Sequence, residues 1–367
     1  MRRGRLGGKL FRHPASAMWK VVGQDAAVTM LARCLAEDRI SHAYLFVGPA
    51  QVGKATTARH FAQALNCQGD EPPCGECRAC RLIAEGKHPD VELMGIGGVC
   101  EEPDHRDHRT DGSRDIRICQ VRRMERVLSR TPYEGRCRVI IVDPADALTT
   151  EAANAFLKTL EEPPPNVVLI LVAQREEMLP PTVRSRCRRV PFRAAPVAAV
   201  ARALEERWSV PPERAELLAR LSRGRLGWAL ATLADEQLLA ARQAAVDEAQ
   251  RLADAGYAER LAVAGEMGGR WLRDREGVLH TLEAWQEWWR DVLLVSVGRP
   301  EQVTHVDQLD RLRRQAAKCE VGVALRALEA VARAAGELEE NASPVLALEV
   351  LMLELPAPEV AASVRSR

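Results

Sequence analysis

The stretch Tyr44–Thr57, YLFVGPAQVGKATT, decides the fold. An apolar run rich in sheet formers, Tyr44 to Val47, meets Gly48, and Gly53 and Lys54 follow five residues later. This is the G-x-x-x-x-G-K portion of a phosphate-binding loop, set between an expected strand and an expected helix. The glycines let backbone N–H groups turn inward around a phosphate, and Lys54 adds a point charge. A helix beginning near Lys54 aims its positive end at the same anion. The next residue, however, is Ala55, where the motif requires a Ser or Thr hydroxyl for Mg²⁺. Thr56 does not replace it, because one residue along a helix turns a side chain by about 100°. Gly48, Gly53 and Lys54 therefore form a nucleotide loop without its metal ligand.

Outward from this loop, strands and helices alternate. Val21–Arg39 has helical spacing, and the helix after the loop runs on through Ala58–Leu65. Val91–Met94 reads as a short strand and Ile118–Leu128 as a helix. Arg138–Asp143, RVIIVD, is a β-branched run of the kind buried in a parallel sheet. Thr149–Glu162 is an expected helix stopped by Pro163, Pro164 and Pro165, and Val167–Ala173 and Arg189–Phe192 are further strands. The pattern predicts a parallel sheet covered by helices on both faces. After Phe192 the strands vanish. Pro196–Trp208, Glu213–Ser222 and Leu226–Ala234 read as a helical trio, and Glu236–Leu355 continues as longer helices. Trp285, Trp288, Trp289 and Val292 fall on one helical stripe and are read as core.

The bulk numbers exclude several classes. With 52 basic and 51 acidic residues, the net charge of +1 argues against a protein that coats nucleic acid by itself. No apolar run is long enough to span a membrane. Residues 1–17 are basic but lack an apolar signal core, and are read as an extension or as a false start before Met18. Ten cysteines without an export signal point to a reducing cytoplasm, where clustered thiols more often bind metal than form disulfides.

Cys67, Cys74, Cys77 and Cys80 are spaced C-x6-C-x2-C-x2-C, which suits a tetrahedral, structural Zn²⁺. The rival iron–sulfur reading requires a further Cys before a proline, and Ala84-Glu85 stand there instead. Cys100–Arg117 has no apolar period and is read as a charged, solvated insertion. Within it, His105 and His108 with Asp104 and Asp107 are the weaker metal candidate. Asp143 occupies the place of a metal-binding acid in P-loop ATPases, but Pro144 follows where the catalytic Glu would orient water. Ala55 and Pro144 together argue against ATP hydrolysis. Arg186, in Ser185-Arg186-Cys187, belongs to a basic run. In a ring of P-loop modules, an arginine there reaches the γ-phosphate held by a neighbour.

His42–Lys54, the four-cysteine excursion and DPADALTTEAANAFLKTLEEPP (Asp143–Pro164) resemble bacterial DNA polymerase III clamp-loader subunits. LPPTVRSRC (Leu179–Cys187) and ENASPVLALEVLMLEL (Glu340–Leu355) match as well, so the resemblance covers about residues 18–360. It implies an AAA+ module over 18–193 with an embedded zinc module at 67–80. A helical lid over 194–236, a helical collar over 237–360 and a tail over 361–367 would follow. It also implies gamma/tau and delta partners in a five-subunit ring that loads the sliding clamp on primed DNA, within the DNA-directed DNA polymerase III holoenzyme. Gly227 stands where the gamma/tau branch carries a lid arginine, with Arg225 nearby, and no tau-like extension follows the collar. These features imply the delta-prime branch, which lacks ATPase activity and supplies Arg186 in trans. Whether ATP still binds is left open. An ATP-hydrolysing gamma/tau-like subunit and an AAA+ regulator outside replication are the alternatives.

Overall fold

The computed structural model describes residues 19–100, 108, 113–340 and 342–356. The extension 1–17, the tail 361–367 and the insertion residues Asp104, His105 and Asp107 lie outside the described residues. The chain divides into two compact units. One runs to Ala215 and includes Ser222–Gly227; the other comprises Glu216–Leu221 and the residues from Trp228 onward.

The first unit is built on five strands: β1 (Ala43–Val47), β2 (Val91–Met94), β3 (Arg138–Val142), β4 (Val167–Ala173) and β5 (Arg188–Pro191). They pair in parallel in the order β2-β3-β4-β1-β5. Side chains alternate between the sheet's two faces. Tyr44, Phe46, Val139, Ile141 and Ile170 join one core with Leu31 and Phe61, from helices α1 (Asp25–Ala36) and α2 (Lys54–Asn66). Leu45, Ile140, Val142, Leu169 and Leu171 join the other with Val121, Met124 and Phe156, from α4 (Ile118–Leu128) and α5 (Thr150–Glu161). Burial on both faces explains why β1, β3 and β4 are continuous apolar runs rather than alternating ones. The shorter helix α3 (Arg78–Ala84) is N-capped by Cys77 and carries Cys80, α6 (Pro181–Arg184) precedes β5, and α7 (Val197–Trp208) follows it. Thr149 caps α5 by accepting the Ala152 N–H at 3.2 Å, which sets its start one residue later than the spacing predicts.

A buried carboxylate fixes the edge of this sheet. Asp90 accepts the N–H groups of Tyr133, Glu134 and Gly135 at 2.7, 2.9 and 2.8 Å, and Arg138 Nη2 at 2.9 Å. Asp90 is 1% exposed. Burial opposes its charge, but the three N–H donors and the guanidinium win, lowering its pKa from 3.8 to about 2.

The insertion departs from the solvated loop expected. Cys100 and Ile116 are 2% and 0% exposed, and His108 is 1% exposed. Ile116 forms a parallel bridge with Leu148, donating its N–H to Ala147 O at 2.7 Å. The physical reason is local: one isoleucine and one thiol, Ile116 and Cys100, give this charged stretch apolar anchors that no periodicity reveals.

Helices α8 (Pro212–Leu221) and α9 (Leu226–Ala234) appear where the sequence places them. The second unit is otherwise α10 (Glu236–Asp254), α11 (Tyr257–Arg270), α12 (Arg275–Ser296), α13 (Leu309–Ala317), α14 (Val321–Glu339) and α15 (Pro344–Glu354), with short 3₁₀ turns. Trp285, Trp288, Trp289 and Val292 are buried in its core, as the stripe predicts. Arg260 is fully buried and acts as a polar peg. Its guanidinium donates to Leu252 O and Ala253 O at the end of α10, and to Leu355 O and Pro356 O after α15. It thereby satisfies carbonyls that helix ends leave without intrahelical partners.

Asp90→Ala should destabilise the first unit by about 3–5 kcal/mol, because it leaves the buried Arg138 guanidinium without its carboxylate. The native Asp90 contribution, about 2 kcal/mol for a shift from 3.8 to about 2, holds above pH 4 and is lost as the pH falls through about 2. Denaturant unfolding of both proteins at neutral pH and near pH 2 checks this: the difference between them should shrink in acid.

Candidate functional site

The phosphate loop sits at the carboxyl end of β1, between β4 and β5, where crevices of open parallel sheets receive ligands. Gly48 has φ of 151°, and a Cβ there would lie 2.3 Å from Phe192 O. Gly53, at φ 97°, starts α2 in the left-handed region. Lys54 is 6% exposed, and its ammonium points back into its own loop, donating to Gly48 O at 2.6 Å and Pro49 O at 2.5 Å. Burial lowers its pKa to about 8, with Asp143 and Asp146 pulling it back up. A lysine so placed stays protonated at neutral pH and is engaged by the carbonyls of its own loop.

Ala55 follows Lys54, Thr56 is exposed, and the buried Thr57 donates its hydroxyl to Gly53 O at 2.8 Å. Asp143 closes β3, with its carboxyl pKa raised by burial although Lys54 opposes the shift. Asp146 is used structurally: its Oδ2 accepts the N–H groups of Gln174 and Arg175 at 3.1 and 3.2 Å, pinning the chain after β4. Gly227 donates its N–H to Gln51 O at 2.9 Å, and a Cβ on it would lie 2.9 Å from that oxygen. The start of α9 thus rests on the phosphate loop with no space for a side chain at 227.

Arg186 lies beyond α6, partly exposed, remote in sequence from the loop. Its guanidinium donates to Thr182 O at 2.9 Å and pairs with Glu161 at 2.7 Å. Within the same run, Arg189 pairs with Glu176 at 2.7 Å, and Arg188 is exposed.

Cys67, Cys74, Cys77 and Cys80 converge, their sulfurs all within 4.8 Å of one another. Backbone N–H groups are aimed at the sulfurs: Gly69 and Cys74 at Cys67 (3.3 and 3.4 Å), Cys77 at Cys74 (3.3 Å) and Cys80 at Cys77 (3.4 Å). Burial opposes ionisation of Cys77, yet the Gln68 and Cys80 N–H donors help bring its pKa to about 6. Such donors stabilise thiolates, so the residues present fit a tetrahedral, four-sulfur metal site. All four would be ligands, which leaves no open position for chemistry.

One grouping was missed by sequence reasoning. His108 meets Cys100 and Cys119, the three ligand atoms lying within 4.8 Å of one another. The intervals of seven and ten residues match no familiar spacing; the only available signal was the presence of two cysteines and a histidine around the insertion.

The family model described as DNA polymerase III, delta subunit, matches residues 23–196. The DNA polymerase III subunit delta' of Pseudomonas aeruginosa is 34% identical over 250 residues, 67% of this chain and 66% of that protein. The gamma/tau subunit of Mycobacterium tuberculosis is 30% identical over 375 aligned positions, 92% of this chain and 61% of its own length. The chain thus spans from about three fifths to just under two thirds of these relatives. Among solved structures, a Thermotoga maritima protein related to the gamma subunit covers 88% of this chain and 98% of itself, at 18% identity and a TM-score of 0.36.

Cys74→Ser should remove one equivalent of bound zinc, as measured by elemental analysis. It should also lower the stability of the first unit, since structural zinc contributes on the order of 10 kcal/mol to folding of its module. Iron with acid-labile sulfide in the native protein would overturn the assignment.

Proposed function

Since this chain belongs to the family of bacterial DNA polymerase III clamp-loader subunits, we propose that it serves there as a delta-prime-type member. It would hydrolyse no ATP itself and would act on a neighbour's ATP through Arg186. The phosphate loop is the observation that carries this reading. Lys54 is engaged by Gly48 O and Pro49 O, Ala55 and Pro144 replace the metal hydroxyl and the water-orienting acid, and Gly227 rests on Gln51. Ala55, Pro144 and Gly227 each remove a different requirement of phosphoryl transfer: the metal hydroxyl, the water-orienting acid and the lid arginine. Any one could be tolerated. All three in one site favour a subunit whose chemistry is done elsewhere.

On this reading the chain comprises an AAA+ module over 18–193, a lid over 194–236 and a collar over 237–360. The four cysteines hold zinc in a module at 67–80. Its partners are gamma/tau and delta subunits in a five-membered ring that loads the sliding clamp on primed DNA. The second unit offers support for assembly. On α15, Ala347, Leu348, Leu351 and Met352 are buried, while Leu346, Val350 and Leu353 are exposed at 59%, 38% and 54%. The exposed residues recur at i, i+4 and i+7, a stripe of the kind that marks a subunit interface.

The mycobacterial gamma/tau relative matches more of the chain than the Pseudomonas delta' does, which keeps an ATP-hydrolysing subunit as the second reading. The isolated chain should lack ATP turnover; turnover abolished by Lys54→Ala would select gamma/tau. Within the reconstituted loader, Arg186→Ala should leave assembly intact and lower DNA- and clamp-stimulated ATP hydrolysis. A lone site loses about 10³–10⁵ in rate without its trans arginine, so one site among several should show a partial loss. Arg186→Lys should rescue poorly, because an ammonium lacks the planar fork. Arg188→Ala and Arg189→Ala are the controls. Equal losses from them would reduce Arg186 to part of a basic surface.

A further inference from the structure

We propose that Cys100, His108 and Cys119 form a second metal site, distinct from the four-cysteine cluster, which takes zinc and clips the insertion onto the start of α4. The sulfurs of Cys100 and Cys119 and a ring nitrogen of His108 lie within 4.8 Å of one another, and His108 Nε2 is 3.1 Å from Cys119 Sγ. Ligand atoms around tetrahedral zinc are separated by about 3.5–3.8 Å, so seating the ion requires only a small opening of the His108–Cys119 contact. All three residues are nearly inaccessible, at 2%, 1% and 5% exposure.

The placement argues for a built site. Cys119 is the second residue of α4, Cys100 follows the turn after β2, and His108 comes from the insertion between them. The His108 N–H donates to Gly98 O at 3.2 Å, folding the insertion back against that turn. Three sequence-distant groups with metal-binding side chains are thus buried together at the base of a charged segment. Two thiols and an imidazole are the donor set that zinc favours over harder divalent ions. Binding is not a redox step: Zn²⁺ displaces the protons of the two thiols, and neutral His108 donates a lone pair. Three protein ligands leave the fourth position to solvent.

The site would act on the sheet's carboxyl edge. Gln120, next to Cys119, donates to Gly95 O at 3.0 Å, and a Cβ on Gly95 would lie 2.7 Å from Asp143 O. A metal bound to Cys119 would hold the start of α4, through that turn, against the end of β3. Its role would be to fix the insertion beside the degenerate nucleotide site rather than to perform chemistry.

The test is zinc stoichiometry of the full chain purified under reducing conditions and passed through chelator-equilibrated gel filtration. The native protein should retain about two equivalents, and Cys74→Ser about one. Cys119→Ser and His108→Ala should each retain about one, that one being lost on adding Cys74→Ser. Cobalt substitution should give a thiolate charge-transfer band that loses the second-site component in Cys119→Ser. Trypsin cleavage within 101–117 should accelerate in His108→Ala, whose circular dichroism should stay native, so misfolding of the Cys119 variant leaves the test intact. One zinc in the native protein, unaffected by His108→Ala and Cys119→Ser, would overturn the proposal and leave a histidine–thiol hydrogen bond. A Cys100–Cys119 disulfide found by peptide mapping without reductant, with one zinc bound, would overturn it as well.

Discussion

Asp90 is the constraint on which the geometry of the first unit depends. Its carboxylate gathers three consecutive N–H groups from the turn before β3, and Arg138, the first residue of that strand, as a charge partner. Arg138 in turn reaches Val127 O and Thr131 O at the end of α4. One carboxylate therefore sets where β3 begins, how β2 lies beside it and where α4 stops. Because β3 is five residues long and parallel to β4 throughout, fixing its beginning also fixes its end, where Asp143 stands. At the opposite edge, Gln24 holds the chain just after β5, its Nε2 donating to Arg193 O at 2.7 Å and its Oε1 accepting the Arg193 N–H at 3.3 Å.

The legible part of this architecture is the part written locally. Helix Ile118–Leu128 and strand Val91–Met94 have the bounds expected, because their apolar periods are self-contained. The phosphate loop is legible in type, since Gly48 and Gly53 occupy backbone conformations that glycine adopts readily. The direction of Lys54 was not legible: it depends on two carbonyls whose orientation is set by the folded loop. Nor was the contact of Gly227 with Gln51, which joins residues 176 positions apart. The cysteine groups divide the same way. Cys67 to Cys80 span fourteen residues and announce themselves by spacing, whereas Cys100, His108 and Cys119 meet only because β2 and α4 pack side by side.

On the proposed reading, a subunit that performs no hydrolysis would still have reason to keep a folded phosphate loop. The loop connects β1 to α2, and both are core on the same face of the sheet. The ammonium of Lys54 on the loop carbonyls and the Gly227 N–H on Gln51 O tie the loop to its own chain. On the proposed reading, a loop tied in this way would suit a subunit whose contribution is to present one side chain to another protomer.

The environment of Arg186 is consistent with such a presentation. In the free chain its guanidinium pairs with Glu161 and donates to Thr182 O, both near the surface. An exposed ion pair of this kind contributes about 0–1 kcal/mol, so exchanging Glu161 for a phosphate oxygen costs little. On the proposed reading, a charge-assisted, planar contact with a phosphate in a water-poor interface would be worth more than this pair. In the free chain the Thr182 carbonyl and Glu161 together hold the side chain. Arg189, on the strand itself, pairs with the less exposed Glu176 and has a different anchor: it belongs to a hydrogen-bonded ladder, and Arg186 to the short connection before it. Of the two, the arginine on the connection can turn outward without disturbing the sheet.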